Sequence, residues 1–192
     1  MKKFEKIVSR AVTLPREDID TDQIIPARFL RTTERKGFGD NLFSDWRYDG
    51  EGRRRPDFVL NRPEAPGARI LIAGRNFGCG SSREHAVWAL QDYGIDAVIA
   101  PGFADIFRKN ALGNGLLLIP VDAPVYEACV KAAEAGAHFM IDLETQTVSV
   151  PDTLSFTFEI DPFVRTCMLA GVDDLEYILQ HRDAIDRFEA GR

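Results

Sequence analysis

The chain has 192 residues, 45% of them hydrophobic and 28% charged, with a formal net charge of -6 at pH 7. That length supports one domain with a proper core, and the acidic balance argues against a nucleic-acid partner, whose binding face needs an excess of Lys and Arg. No apolar run approaches the length of a membrane span. The start, Lys2-Lys3-Phe4-Glu5-Lys6, lacks the apolar core of a signal peptide, so a cytoplasmic location is expected.

Taken in order, Ile7 to Leu14 alternates loosely and reads as a strand ended by Pro15. The acidic turn that follows spaces Asp18, Asp20 and Asp22 like the start of a calcium loop. Gln23 stands where such a loop needs Gly and Phe29 where it needs Glu, so calcium is not expected. The turn is then either a polar connection or an acid placed in a site. A short helical possibility covers Pro26 to Arg31. From Ala27 to Phe58 the sequence is mixed and lacks long apolar periodicity, which points to a functional or mobile connection. Within it, Arg53-Arg54-Arg55 is bounded by Gly and Pro and reads as a solvated turn.

Ile70 to Ala73 reads as a buried strand, followed by Gly74, Gly78 and Gly80 in a tight turn. A helix with Ala86, Ala89, Leu90 and Tyr93 on one face comes next. Ser81 with Glu84 fits a capping box, which predicts the first helical turn at Ser82. A helix N-terminus carries unpaired N–H groups and partial positive charge, and with Arg83 beside it the turn suits a carboxylate or phosphate. It is none of the common nucleotide or nucleophile loops. No lysine lies between Ile70 and Tyr93 for a P-loop, and Glu84 stands where a nucleophile elbow needs Gly. Arg83 also takes the place of the third glycine of a dinucleotide fingerprint.

Ala97 to Ala100 and Leu116 to Ile119 read as further buried strands, with a helix from Phe103 to Leu112 between them. This alternation predicts an α/β layer with parallel strands and functional loops at their carboxyl ends. Pro124 to Ala135 reads as a helix. Phe139 to Ile141, Thr145 to Val150 and Leu154 to Phe158 read as short antiparallel strands. Pro162 to Ala190 is expected to be helical, Leu175, Ile178 and Leu179 marking one face and Ile185 and Phe188 another. Cys79, Cys129 and Cys167 are scattered without a Cys-x-x-Cys pair. This fits a reducing compartment and gives no support to a disulfide framework or a self-contained zinc or iron–sulfur site, although distant cysteines meeting in space stay open.

Several stretches together resemble one family: Asp20-Thr21-Asp22-Gln23-Ile24-Ile25-Pro26, Gly37-Phe38-Gly39, Leu42-Phe43, Asp45-Trp46-Arg47, Asn76 through His85, and Phe103-Ala104-Asp105-Ile106-Phe107. They look like the small subunit of bacterial 3-isopropylmalate dehydratase, in the aconitase superfamily. The resemblance runs nearly end to end. It implies a single swivel domain over 1–192, a three-layer β/β/α fold with a parallel central sheet and a smaller antiparallel sheet. It further implies a hydro-lyase of leucine biosynthesis, active only with a large subunit that carries a [4Fe-4S] cluster as Lewis acid, so that no metal is held by this chain.

By matching position, the resemblance makes Ser81 the general base, used as an alkoxide, and Asp22 a catalytic acid near the site. Ser82 and Arg83 would hold substrate carboxylate, with the arginine able to donate two parallel hydrogen bonds. His85 is expected to be structural, facing the sheet. The loop after Pro26 would choose the substrate, Phe29 and Leu30 offering apolar contacts to an isopropyl group. Arg31 there would suit a second carboxylate unless it turns to solvent or pairs with Glu34. Citraconate, dimethylmalate or homoaconitate are therefore the alternative substrates, and an anion-binding module without catalysis is the alternative class.

Overall fold

The computed structural model describes residues 1–30 and 37–190. Among them, seven strands form one sheet in the order β4-β3-β2-β1-β5-β6-β7. The parallel half consists of β1 (Ile7–Leu14), β2 (Ile70–Ala73), β3 (Ala97–Ala100) and β4 (Leu117–Pro120). The antiparallel half starts again from β1 and adds β5 (His138–Asp142), β6 (Thr147–Val150) and β7 (Leu154–Thr157). One strand thus belongs to both, with Ala11 to Leu14 paired to β2 and Ile7 to Arg10 paired to β5.

All four residues of β2 and of β3 are buried. Strands covered on both faces read as continuous apolar runs, and here the period-2 alternation divides them between two cores. Leu71, Ala73, Val98, Ala100 and Leu118 face α3 (Glu84–Tyr93) and α4 (Asp105–Asn114). Ile70, Ile72, Ile99 and Ile119 face the other way and share a core with Phe139, Ile141, Val148 and Val150 of the antiparallel strands. The antiparallel half therefore folds across one face of the parallel half while helices cover the other, which gives the three layers expected of the sequence. The α5 helix (Ala123–Glu134) adds Cys129 and Ala132 to the β/β core.

The described part of the Ala27 to Phe58 segment is not a loose connection. Phe38, Leu42 and Phe43 are buried in the helix-side core, and α2 (Ser44–Arg47) ends on a buried arginine. Arg47 is 3% exposed. Its guanidinium donates to the carbonyls of Gly39 at 2.9 Å and of Asp40 and Leu42 at 3.2 Å, and lies over the Tyr93 ring at 5.0 Å. A desolvated cation whose donors meet backbone carbonyls can order a segment that has no regular hydrogen bonding of its own. The segment also docks on α3, where Asp92 accepts from Gly37 N and Gly39 N. Gly39 lies so close that a Cβ there would be 2.6 Å from Tyr93 N. Aperiodic aromatics and a charge in the core leave no helical or strand signature to find.

The tail is helical as expected: α6 (Pro162–Ala170), α7 (Asp174–Gln180) and α8 (Arg182–Ala190). α6 buries Cys167 and Met168, whereas the apolar faces of α7 and α8 are outside, with Leu175 and Phe188 both 64% exposed. Local capping builds α7, where Asp173 and Glu176 form a reciprocal capping box.

Replacing Arg47 by methionine should leave three carbonyls without their donor and cost on the order of 3 kcal/mol. Urea unfolding should show a lowered midpoint with an unchanged slope.

Candidate active site

Loops from the carboxyl ends of three neighbouring strands meet around the glycine turn. The loop after β1 donates Asp18 N to Arg75 O at 2.9 Å and receives Gly78 N on Ile19 O at 2.8 Å. The loop after β3 receives Phe77 N on Gly102 O and returns Ala104 N to Phe77 O, both at 3.1 Å. The glycines make these approaches possible. Gly78 has φ +78 and a Cβ there would lie 2.2 Å from the Phe107 ring, while Gly80 has φ +87 and a Cβ there would lie 2.1 Å from Asp20 Oδ2. Both positions are left-handed backbone with no room for a side chain.

The short helix α1 (Thr21–Ile24) grips the turn that leads into α3. Asp20 caps α1 in a reciprocal box with Gln23. Buried Thr21 receives the turn through both of its polar groups, Thr21 N donating to Cys79 O at 2.8 Å and Thr21 Oγ1 to Ser81 O at 2.9 Å. Asp22 takes the guanidinium of Arg83, with Nη2 donating to Oδ2 at 2.8 Å and Nη1 in contact with Oδ1. Ala27 N also donates to Asp22 Oδ1, at 3.0 Å. The arginine hydrogen bond holds the Asp22 carboxyl below its ordinary value, and the carboxylate in turn raises Arg83.

The structure thus brings Asp22, Ser81, Ser82 and Arg83 together across two segments sixty residues apart in sequence. Ser81 and Ser82 are exposed and Arg83 is half-buried. Phe29 and Leu30 follow Ala27 in a 3-10 turn and lean on the helix-side core. Arg31 and Glu34 lie outside the described residues. A cavity of about 610 Å³, lined by Arg28, Asp45, Tyr48 and Asp49 among others, does not include Ser81, Ser82 or Arg83. The serine turn is an open face.

Two local expectations are corrected. The Ser81–Glu84 capping box does not form: α3 starts at Glu84, with Arg83 as N-cap and no side-chain cap. Glu84 instead accepts from Asn114 Nδ2 at 2.7 Å, a partner on α4 that sequence spacing cannot reveal. Ser81 consequently stands outside the first helical turn, where the helix dipole has weakened, and Arg83 supplies the nearby positive charge. His85 does not face the sheet. Its ring packs against Phe38 at 5.3 Å and Trp88 at 4.6 Å, because Ala86, Val87, Ala89 and Leu90 take the buried side of α3. Thr21 is the residue that sequence reasoning missed. Its only signal was adjacency to Asp22.

The three cysteines are free thiols. Cys129 and Cys167 are buried, and burial pushes the Cys129 thiol up to about 11. Cys79 sits in the turn, raised by burial and then by the Asp20 and Asp18 carboxylates. Among the described residues, no group of three or more His, Cys, Asp or Glu side chains could hold a metal ion, and no helix is long and apolar enough to cross a membrane.

Comparison with known proteins identifies the chain first at the level of class. A model of the aconitase C-terminal domain matches residues 1–124, and a LeuD_N model matches residues 130–162. Relatives narrow it further. A 3-isopropylmalate dehydratase small subunit from Chloroflexus aurantiacus is 57% identical over 192 residues, covering 99% of this chain and 96% of the relative. One from Anaeromyxobacter dehalogenans is 57% identical over 100% of both chains. The solved 3-isopropylmalate dehydratase structure from Methanocaldococcus jannaschii superposes with a TM-score of 0.67 at 31% identity, covering 96% of this chain and 99% of that one. The chain belongs to the family of 3-isopropylmalate dehydratase small subunits.

Because Asp22 has a folded value below its unfolded one, the pair stabilises the fold above about pH 3.8 and is lost as pH falls through the lower folded value. Exposure limits its worth to under about 1 kcal/mol. Carbon NMR of the isolated chain should find the Asp22 carboxyl titrating below 3.8 and moving back towards it in Arg83→Gln.

Proposed function

We propose that this chain is the small subunit of a hydro-lyase that interconverts 2-isopropylmalate and 3-isopropylmalate in leucine biosynthesis, cytoplasmic and active only when joined by its large subunit. The observation that carries the reading is an exposed Ser81-Ser82 pair beside half-buried Arg83, in a chain 57% identical over its whole length to a relative named as such a small subunit. An open half-site is what a subunit needs if a second body completes it.

On this reading Ser81 takes and returns a proton at its Oγ. The proton leaves the carbon beside a substrate carboxylate, the electron pair of that C–H bond becomes the second bond of the alkene, and hydroxide departs from the adjacent carbon. Water adds back in the opposite sense to give the isomer. An ordinary serine hydroxyl is far too weak an acid to serve as its conjugate base at neutral pH, so the alkoxide depends on fixed positive charge and hydrogen bonds. Arg83, two residues on, supports that role and, with Ser82, holds substrate carboxylate. Phe29 and Leu30 supply apolar contact to the isopropyl group. The [4Fe-4S] cluster, which would supply the Lewis acid for the substrate's departing hydroxide, is assigned to the large subunit, in keeping with the lack of any group of three or more possible ligands among the described residues here.

In the reconstituted complex, Ser81→Ala should lower kcat by about 10²- to 10⁴-fold with KM nearly unchanged. Full activity would remove Ser81 from the chemistry. Iron and sulfide analysis of the separated subunits should find the cluster on the large one, and a stoichiometric cluster on this chain alone would overturn that assignment.

A further inference from the structure

We infer that Asp22 is a positioning residue, which sets the plane of the Arg83 guanidinium for substrate carboxylate, and that it exchanges no proton with the substrate. The inference rests on the site reading above and changes the role first given to Asp22 by resemblance. Its basis is the geometry of α1. Both carboxylate oxygens face the two terminal nitrogens of Arg83, and one of them also receives Ala27 N at 3.0 Å. Asp22 N is itself held by Asp20 Oδ1 at 2.6 Å. The neighbouring residue, Thr21, fixes the backbone of the same turn through Ser81 O. Two consecutive residues of one short helix thus hold the two ends of the Ser81-Ser82-Arg83 turn, one by its carbonyl and one by its side chain.

A guanidinium offers two forks for a carboxylate, one made by the two terminal nitrogens and one by Nε with a terminal nitrogen. Asp22 occupies the first. Among the described residues no hydrogen bond engages the second, which offers its donors to another carboxylate in a plane that the first pairing has fixed. A carboxylate accepts two such bonds only while ionised, and one already engaged by an arginine and a backbone N–H is a poor proton carrier at neutral pH. The exposures agree with this division: the Asp22 side chain is 51% exposed and that of Arg83 only 16%. The acid braces from the rim a cation seated deeper in the turn.

The test uses the reconstituted complex and 2-isopropylmalate, with Asp22→Asn, Arg83→Gln and the double variant. Asp22→Asn should raise KM about tenfold, lower kcat by less, and keep both limbs of the pH profile of kcat/KM. Arg83→Gln should lose at least as much in kcat/KM, and the double variant should match it within about twofold, since the acid acts only through the arginine. Asp22→Glu, which keeps the charge, should recover part of the loss. Disappearance of one pH limb with collapse of kcat in Asp22→Asn would overturn the inference, as would full additivity in the double variant. Those failures leave the site reading standing. Unchanged kcat/KM in Arg83→Gln would overturn both. If Asp22→Asn fails to fold, the Asp22→Glu variant carries the same comparison of KM, kcat and pH profile.

Discussion

The approach of residues 18–22 to residues 75–81 is the constraint on which the rest depends. β1 and β2 are parallel neighbours, so the loops after them leave the sheet side by side, and the two backbones then continue bonded to each other beyond the sheet. That is possible only where no side chain intervenes, and Gly78 and Gly80 supply the two gaps, one filled by Phe107 and the other by the Asp20 carboxylate. Asp20 is thereby free of steric conflict to cap α1, and α1 in turn presents Thr21 and Asp22 to the serine turn. A methyl group at either glycine would disturb the glycine turn, the helix cap and the arginine in one step.

A second organising element is Arg47. Burying a guanidinium costs several kcal/mol unless its donors are met, and here Nη1 meets carbonyls of residues 39, 40 and 42 and Nε meets Asn61 Oδ1, while Tyr93 covers one face. The result fixes an irregular aromatic segment against the far end of α3, the helix whose near end follows Arg83. The same helix therefore links the serine turn to the aromatic segment around Arg47. Asp92, accepting from Gly37 and Gly39, makes that link at the level of backbone.

The openness of the serine turn fits a polypeptide whose family is named for one part of an assembly. Residues that hold carboxylate gain most when water is excluded, since charge–charge interactions strengthen as the local dielectric falls. Ser81, Ser82 and Arg83 lie outside the cavity lined by Arg28, Asp45, Tyr48 and Asp49. What this chain contributes is pre-arrangement, with an arginine already braced and a serine backbone already pinned.

The sequence by itself determined the strands, most helices and the serine turn, because these rest on short-range pattern: four-residue apolar runs, glycine at positive φ, and apolar spacing of 3.6. It also carried the family, through motifs spread over nearly its whole length. Only the tertiary structure decided where α3 begins, since Glu84 is drawn to Asn114 rather than back to Ser81. It alone made Thr21 and Asp22 partners of Ser81 and Arg83, and turned the unpatterned stretch around Arg47 into core. Each of these depends on a contact between residues remote in sequence or on a charge satisfied by irregular backbone, and neither leaves a period in the chain.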